Sequence, residues 1–186
     1  MSTLSFLREG LKNLGTTGTI TRSSPALCKA AIERIDFERA RVIIELGAGD
    51  GVITRHILDK LHPDGIVIAF EVAKDLCDDM RAFNDSRLIV AEDSAEKIPE
   101  YLQEAGVEMA DYIVSAIPFA VMPPELGKRI VTAAHDYLRP GGVYSQIHYS
   151  LKTRDYYREA FGNVETQWVP FNLPPAFVLY SNKSAE

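Results

Sequence analysis

Val42-Ile43-Ile44-Glu45-Leu46-Gly47-Ala48-Gly49-Asp50-Gly51-Val52 is the stretch on which the fold turns. Its β-branched apolar start reads as a buried strand, and Val52–Leu61 after it reads as a helix. Glycines at alternate positions between them let the backbone turn tightly and let a ligand approach main-chain amides that a Cβ would shield. A dinucleotide phosphate loop needs its third glycine three residues after the second, but that position is Val52 and the glycine stands at Gly51. A tight strand-to-helix turn with no ligand shares the pattern, so its flanks must discriminate.

Outward from this loop, Arg41–Leu46, Ile66–Glu71, Leu88–Ala91, Tyr112–Ser115 and Val143–Ile147 read as buried strands. They alternate with helices expected at Val52–Leu61, Lys74–Phe83, Ala95–Ala105 and Glu125–Leu138, the βαβ rhythm of a parallel sheet. Arg139-Pro140-Gly141-Gly142 reads as a turn before the fifth strand. Two last runs, Val164–Val169 and Ala176–Ser181, are joined by the short Pro170–Pro175 link, which favours an antiparallel hairpin. Ahead of the sheet, Leu4–Leu14 is an amphipathic helix, with Leu4, Leu7, Leu11 and Leu14 at helical spacing. Pro25–Ile35 is a second helix, with Ser24 as N-cap and Pro25 at the first helical position.

Glu71 ends the second strand and so stands at the sheet's C-terminal edge beside the glycine loop, where a carboxylate can accept hydrogen bonds from both hydroxyls of a ribose. Asp93 and Ser94 follow the third strand; Asp93 either reaches an adenine amine or caps the next helix. The Gly-x-Gly-x-Gly spacing preceded by Glu45 resembles motif I of class I methyltransferases. That resemblance implies S-adenosylmethionine as cofactor and S-adenosylhomocysteine as product. It also implies an α/β fold: a Rossmann-like seven-stranded, mostly parallel sheet with a C-terminal antiparallel strand pair, here with two N-terminal helices. The candidate cofactor-binding residues are Glu45, Gly47, Ala48, Gly49, Gly51, Glu71, Val72, Asp93, Ser94 and Ser115.

Ser115-Ala116-Ile117-Pro118-Phe119 follows the fourth strand, where this fold presents the atom to be methylated. The segment is similar to the Asn-apolar-Pro-aromatic loop of ribosomal RNA adenine dimethylases, with Ser115 as the polar residue. It resembles more closely the Ser-Gly-Leu-Pro loop of bacterial phospholipid N-methyltransferases. That second resemblance spans nearly the whole chain, through Ser5–Glu9, Gly18–Leu27, Met122–Leu126, Gln146–Tyr149 and Asn172–Ala176. The chain departs from the family pattern at Thr21, often Pro, and His148, often Thr. The resemblance implies methyl transfer to the amine of phosphatidylethanolamine or a related aminolipid, by residues 41–186 as the methyltransferase domain and residues 1–40 as a helical cap or membrane-interface segment.

A primary amine with a pKa near ~10.4 is neutral in only about one molecule in a thousand at pH 7, so the site must remove a proton before attack. Ser115, Ile117 and Tyr149 are the candidate catalytic residues, with His148 a second proton relay or a structural residue. Arg22, Pro118, Phe119, Tyr149 and Asn172 are the candidate substrate-binding residues. Tyr149 has a second reading as a cover for the sheet edge, Arg22 as a solvated cation and Asn172 as part of a rigid turn.

The 186 residues suffice for one core, and a net charge of −6 argues against a general nucleic-acid partner. Cys28 and Cys77 lie far apart without metal-ligand spacing, so neither a disulfide framework nor a metal site is expected. Residues 1–40 carry six cations against four carboxylates, a bias toward an anionic surface. The Leu4–Leu14 helix would then bring the enzyme to a phospholipid headgroup at the membrane, or else lie over the cofactor pocket. The expected location is cytoplasmic or peripheral on the inner membrane face. Two other readings stand beside the lipid enzyme: an rRNA adenine N6-methyltransferase, and a catalytically silent cofactor- or lipid-binding protein.

Overall fold

The computed structural model describes residues 22–185, so the expected Leu4–Leu14 helix and the segment through Thr21 lie outside the described residues. Seven strands form one sheet: β1 (Val42–Leu46), β2 (Ile66–Phe70), β3 (Leu88–Ala91), β4 (Ala110–Ser115), β5 (Leu138–His148), β6 (Glu165–Val169) and β7 (Ala176–Asn182). Their order is β3-β2-β1-β4-β5-β7-β6. The first five are parallel, and β7 runs antiparallel between β5 and β6. The expected sheet and terminal hairpin are therefore present. From β1 the chain proceeds outward to β3 and then returns to the other side of β1, which makes the gap between β1 and β4 the topological switch point, where open α/β sheets hold ligands.

Helices cover both faces. On one face α1 (Pro25–Ile32) and α2 (Val52–Leu58) bury Leu27, Ile32, Ile53 and Ile57 against Ile43, Val67 and Val114 of the sheet. A third helix, α3 (Lys74–Arg81), packs Met80 on Ala69. On the other face α4 (Ile98–Glu104), α5 (Pro124–Tyr137) and α6 (Arg154–Phe161) bury Leu102, Ile130, Val131, Tyr157 and Phe161 against Ile44, Ile68 and Ile113. Every residue of β1 is buried, Glu45 among four apolar residues, as in a strand covered on both faces. Ser24 caps α1 as expected, its hydroxyl accepting from the Leu27 N–H at 3.2 Å, with Pro25 in the first turn.

Two expectations need correction, and one helix was not expected. The helix expected over Ala95–Ala105 is a 3₁₀ turn at Ala95–Lys97 followed by α4, because Pro99 lacks the N–H and fits only a helix's first turn. Arg139–Gly142 is not a turn but the start of β5, held by Gly141 N–H to Lys183 O and Lys183 N–H to Gly142 O, both 3.0 Å. The excess length is absorbed by an irregularity in register opposite Ala110–Tyr112. Helix α6 had no counterpart in the sequence reading. Its apolar content is concentrated in Tyr157 and Phe161, four residues apart, and no side chain caps its start.

Candidate active site

The loops after β1, β2, β3 and β4 surround a concavity lined by Gly47, Gly49, Phe70, Glu71, Val72, Asp93, Ala95, Ala116, Ile117, Pro118, Val121, Met122 and Ile130. A second concavity continues past the glycine loop, along Arg22, Ser23, Ala48, Asp50 and Leu76, and shares Gly47, Gly49 and Ala116 with the first. Parallel strands end at the same edge, so separate segments of chain meet here without long excursions.

Glu71 organises the cofactor side. The carboxylate is buried, and its Oε2 accepts from the Gly49 N–H at 2.9 Å while Oε1 accepts from Val72 N–H at 2.8 Å and Ala73 N–H at 2.9 Å. One side chain thereby ties the glycine loop to the loop after β2. Gly47 joins the glycine loop to the loop after β4. Its φ is +71°, and a Cβ there would lie 3.0 Å from Ile117 Cγ1 and 3.2 Å from Ile117 N, so both conformation and close approach call for glycine. Gly51 has a different reason for being glycine: at φ +75° a Cβ would meet the Phe83 ring at 2.5 Å, a packing contact outside the concavity.

Glu45 is wholly buried on the α2 face of β1. Its Oε2 accepts from Thr54 Oγ1 at 2.6 Å, and Oε1 has no partner among the described residues. Burial pushes its carboxyl up to about 8, against the opposing hydrogen bond from Thr54, so it is mostly protonated at neutral pH. It lines neither concavity and supports the loop from beneath. Asp93 lines the first concavity and accepts from the Ser94 N–H at 2.7 Å; Ser94 itself is buried and caps the 3₁₀ turn through Glu96 N–H at 3.3 Å. The cap expected of Asp93 thus falls to Ser94, and Asp93 stands in the wall of the concavity.

On the acceptor side the structure moves several expected residues out of the wall. Ser115 is fully buried at the end of β4, its Oγ accepting from Ile117 N–H at 3.4 Å, and the residue that lines both concavities is Ala116. Phe119 is buried against His148 and Tyr157, with ring centroids 6.4 and 6.5 Å away, while Pro118 does line the concavity. The Ile117 carbonyl accepts from Phe119 N–H at 2.9 Å and Gln146 Nε2 at 3.0 Å, which uses both of its lone pairs. Gln146, wholly buried, also donates to Ile147 O at 2.9 Å and accepts from the Tyr144 hydroxyl at 2.7 Å. It is the polar residue under this turn that sequence reading missed as a functional candidate; a glutamine inside an apolar strand was the available signal. Val121, Met122 and Ile130 were likewise unforeseen in the wall.

Tyr149 follows β5, Asn172 lies between β6 and β7, and Arg22 lines the second concavity. Burial raises the Tyr149 phenol above its ordinary range, with a hydrogen bond to Asn172 opposing, and Tyr149 lines neither concavity. Asn172 is buried, its Oδ1 accepting from Ser24 N–H at 2.9 Å and its Nδ2 donating to Pro174 O at 2.7 Å. Arg22 pairs with Asp50 at 2.6 Å. His148 is buried, with Nε2 2.7 Å from the Tyr157 hydroxyl and 3.2 Å from Thr153 Oγ1. Desolvation lowers it to about 4, which leaves it neutral and occupied within the core.

The first concavity fits an adenosyl group. Glu71 and Asp93 are the carboxylates of its wall, and Phe70, Val72, Ala95 and Ile130 supply apolar surface. Among the described residues no lysine or arginine lines it, which argues against phosphates there. Strand order, switch-point cleft and this lining define a class I S-adenosylmethionine-dependent methyltransferase. A 1,6-didemethyltoxoflavin-N1-methyltransferase of Burkholderia thailandensis, solved with S-adenosylhomocysteine, has the same fold with TM-score 0.71 and 13% identity, over 96% of this chain and 87% of that one. The precorrin-6y C5,15-methyltransferase of Geobacter metallireducens aligns with TM-score 0.65 and 16% identity over 84% and 87%. No protein-family model matches the chain. It is, however, 34% identical to an ornithine lipid N-methyltransferase of Singulisphaera acidiphila over 92% of this chain and 91% of that protein, and it belongs to that lipid N-methyltransferase family.

Proposed function

We propose that this enzyme methylates the amine of a membrane aminolipid, with ornithine lipid or phosphatidylethanolamine as the acceptor class. The likeness to an ornithine lipid N-methyltransferase along nearly the whole chain carries the reading, and the close approach of Ile117 to Gly47 sets the acceptor turn directly against the cofactor loop. S-adenosylmethionine, when bound, supplies an activated methyl group and needs no covalent help from the protein. Glu71 would hold the ribose and Asp93 the adenine, while Arg22, beyond Gly49 in the second concavity, would meet the cofactor's carboxylate. Gln146 fixes the Ile117 peptide, and with it the turn whose Ala116 and Pro118 form the acceptor wall. Tyr149, a protonated phenol at neutral pH, orients the headgroup rather than acting as base; the ammonium proton leaves to water.

Incubating the enzyme with labelled S-adenosylmethionine and detergent micelles of ornithine lipid or phosphatidylethanolamine tests this, with products separated by methyl count. Label in either lipid is the expected result, and label in neither overturns the reading. Gln146→Leu is expected to lower kcat about tenfold, the cost of one or two unsatisfied buried hydrogen-bonding groups, with cofactor affinity unchanged.

A further inference from the structure

The acceptor side of the sheet's C-terminal edge is built from three segments: Ser115–Pro124 after β4, His148–Arg154 at the end of β5, and Trp168–Ala176 at the β6–β7 turn. The register of β5 with β7, which pairs His148 with Phe177, brings the last two together at that edge. None of the three contains an aspartate or glutamate, in a chain of net charge −6; the exposed Glu125 and Asp155 come one residue beyond the first and second, in the first turns of α5 and α6. The middle one carries Lys152, exposed, and Arg154.

Large hydrophobic side chains left exposed concentrate here. Among the described residues they are Phe171 (82% exposed), Leu173 (80%), Trp168 (62%), Val121 (57%), Tyr149 (43%) and Leu151 (38%), and only Met109, at the opposite edge before β4, lies elsewhere. Phe171 and Leu173 flank Asn172, which is pinned to Ser24 and Pro174, so the turn holds both outward. Val121 belongs at once to this surface and to the wall of the concavity. The patch therefore shares the sheet edge with the concavity and reaches its wall through Val121.

We propose that this patch, led by Phe171 and Leu173, docks the enzyme on the interface of an anionic phospholipid bilayer. The inference rests on the lipid reading of the site and adds the surface by which the substrate is met. An apolar tip, polar-ended aromatics beside it, a cation and no carboxylate match the layers of that interface in order of depth. Docked this way, a headgroup reaches Ala116 and Pro118 while its acyl chains stay in the bilayer. A hydrophobic partner protein or a second copy would need no such exclusion of carboxylates.

Co-sedimentation of the full chain with vesicles of phosphatidylethanolamine and phosphatidylglycerol tests the proposal, using a Phe171→Ser/Leu173→Ser double variant and Met109→Ser as control. The double variant is expected to lose about tenfold in vesicle partitioning, in line with two apolar side chains withdrawn from an interface. Its turnover on vesicle lipid should fall in step, while turnover on the same lipid in micelles stays within about twofold, as does every property of Met109→Ser. Unchanged vesicle partitioning of the double variant overturns the proposal, since another segment would then carry binding. An equal loss on micelles overturns it too, by showing that the turn builds the active site, and a change in oligomeric state would assign the patch to a second copy. Vesicle binding that depends on Phe171 and Leu173 without methylation of any lipid would sink the substrate reading and leave the docking surface standing.

Discussion

The two halves of the sheet's C-terminal edge have opposite chemistry. After β1, β2 and β3 the loops carry Asp50, Glu71, Glu92 and Asp93. After β4 and β5 and across the β6–β7 turn there is no carboxylate for the whole of three segments. The difference follows from the charges of the two reactants. A sulfonium donor is a cation, and carboxylates nearby favour it. The amine, in contrast, attacks only when neutral, and a carboxylate beside it would stabilise the ammonium and raise its pKa. An edge that is acidic on one side and apolar on the other favours binding of the donor's fixed positive charge and encourages the acceptor to lose its own.

Removing the acidic half's organiser should have the largest effect. Glu71→Ala strands the Gly49, Val72 and Ala73 N–H groups and removes the ribose partner, so S-adenosylmethionine affinity measured by calorimetry should fall about a hundredfold. A loss of less than about threefold would show that the glycine loop holds its shape without the carboxylate.

Adding a carboxylate to the apolar half attacks the comparison directly. Val121→Asp sets a negative charge at the mouth, where the amine enters. Its kcat/KM on micellar lipid should fall about tenfold at neutral pH, one unit of amine pKa, and recover as the pH is raised. A uniform loss at all pH values would mean that the side chain obstructs entry and leaves the amine's ionisation alone.

The smallest effect on turnover is expected from Glu45→Gln, because a carboxyl titrating at about 8 is already mostly neutral at pH 7. Its signature lies in stability. The folded pKa is raised, so the contribution of Glu45 is fully present below its unfolded value near ~4.5 and is lost as pH rises from there through about 8. In urea titrations the wild type should lose up to about 1.4 kcal/mol per pH unit across that window relative to Glu45→Gln, which retains an acceptor for Thr54. Parallel pH curves for the two proteins would contradict a neutral, buried Glu45.

Much of this architecture was legible because its signals are local. The run Val42–Leu46 is apolar enough to be covered on both faces, and Glu71 and Asp93 follow their strands at the positions that face the glycine loop. Ser24 and Pro25 announce the start of α1 within two residues. What escaped depends on contacts across the chain. Arg139–Gly142 has the composition of a turn, yet pairing with Lys183 draws it into β5. Ser115 looked like the polar group of the acceptor turn, but the last residue of a buried strand faces inward, and Ala116 takes the wall. Gln146 gains meaning only when β5 lies beside β4, with Ile117 above it. The acceptor half was harder to read than the cofactor half because its residues act through backbone and packing, which leave no distinctive side chain in the sequence.

The missing Cβ of Gly47 also limits how freely such an enzyme can be given a new acceptor. Donor loop and acceptor turn share a single wall there, with Ile117 filling the space a side chain would occupy. Transplanting a loop from another methyltransferase between Ser115 and Pro118 would carry over specificity only if the incoming backbone follows the same path at position 117. A longer loop would press on the glycine turn and weaken the donor site as well, so the two specificities are inherited together.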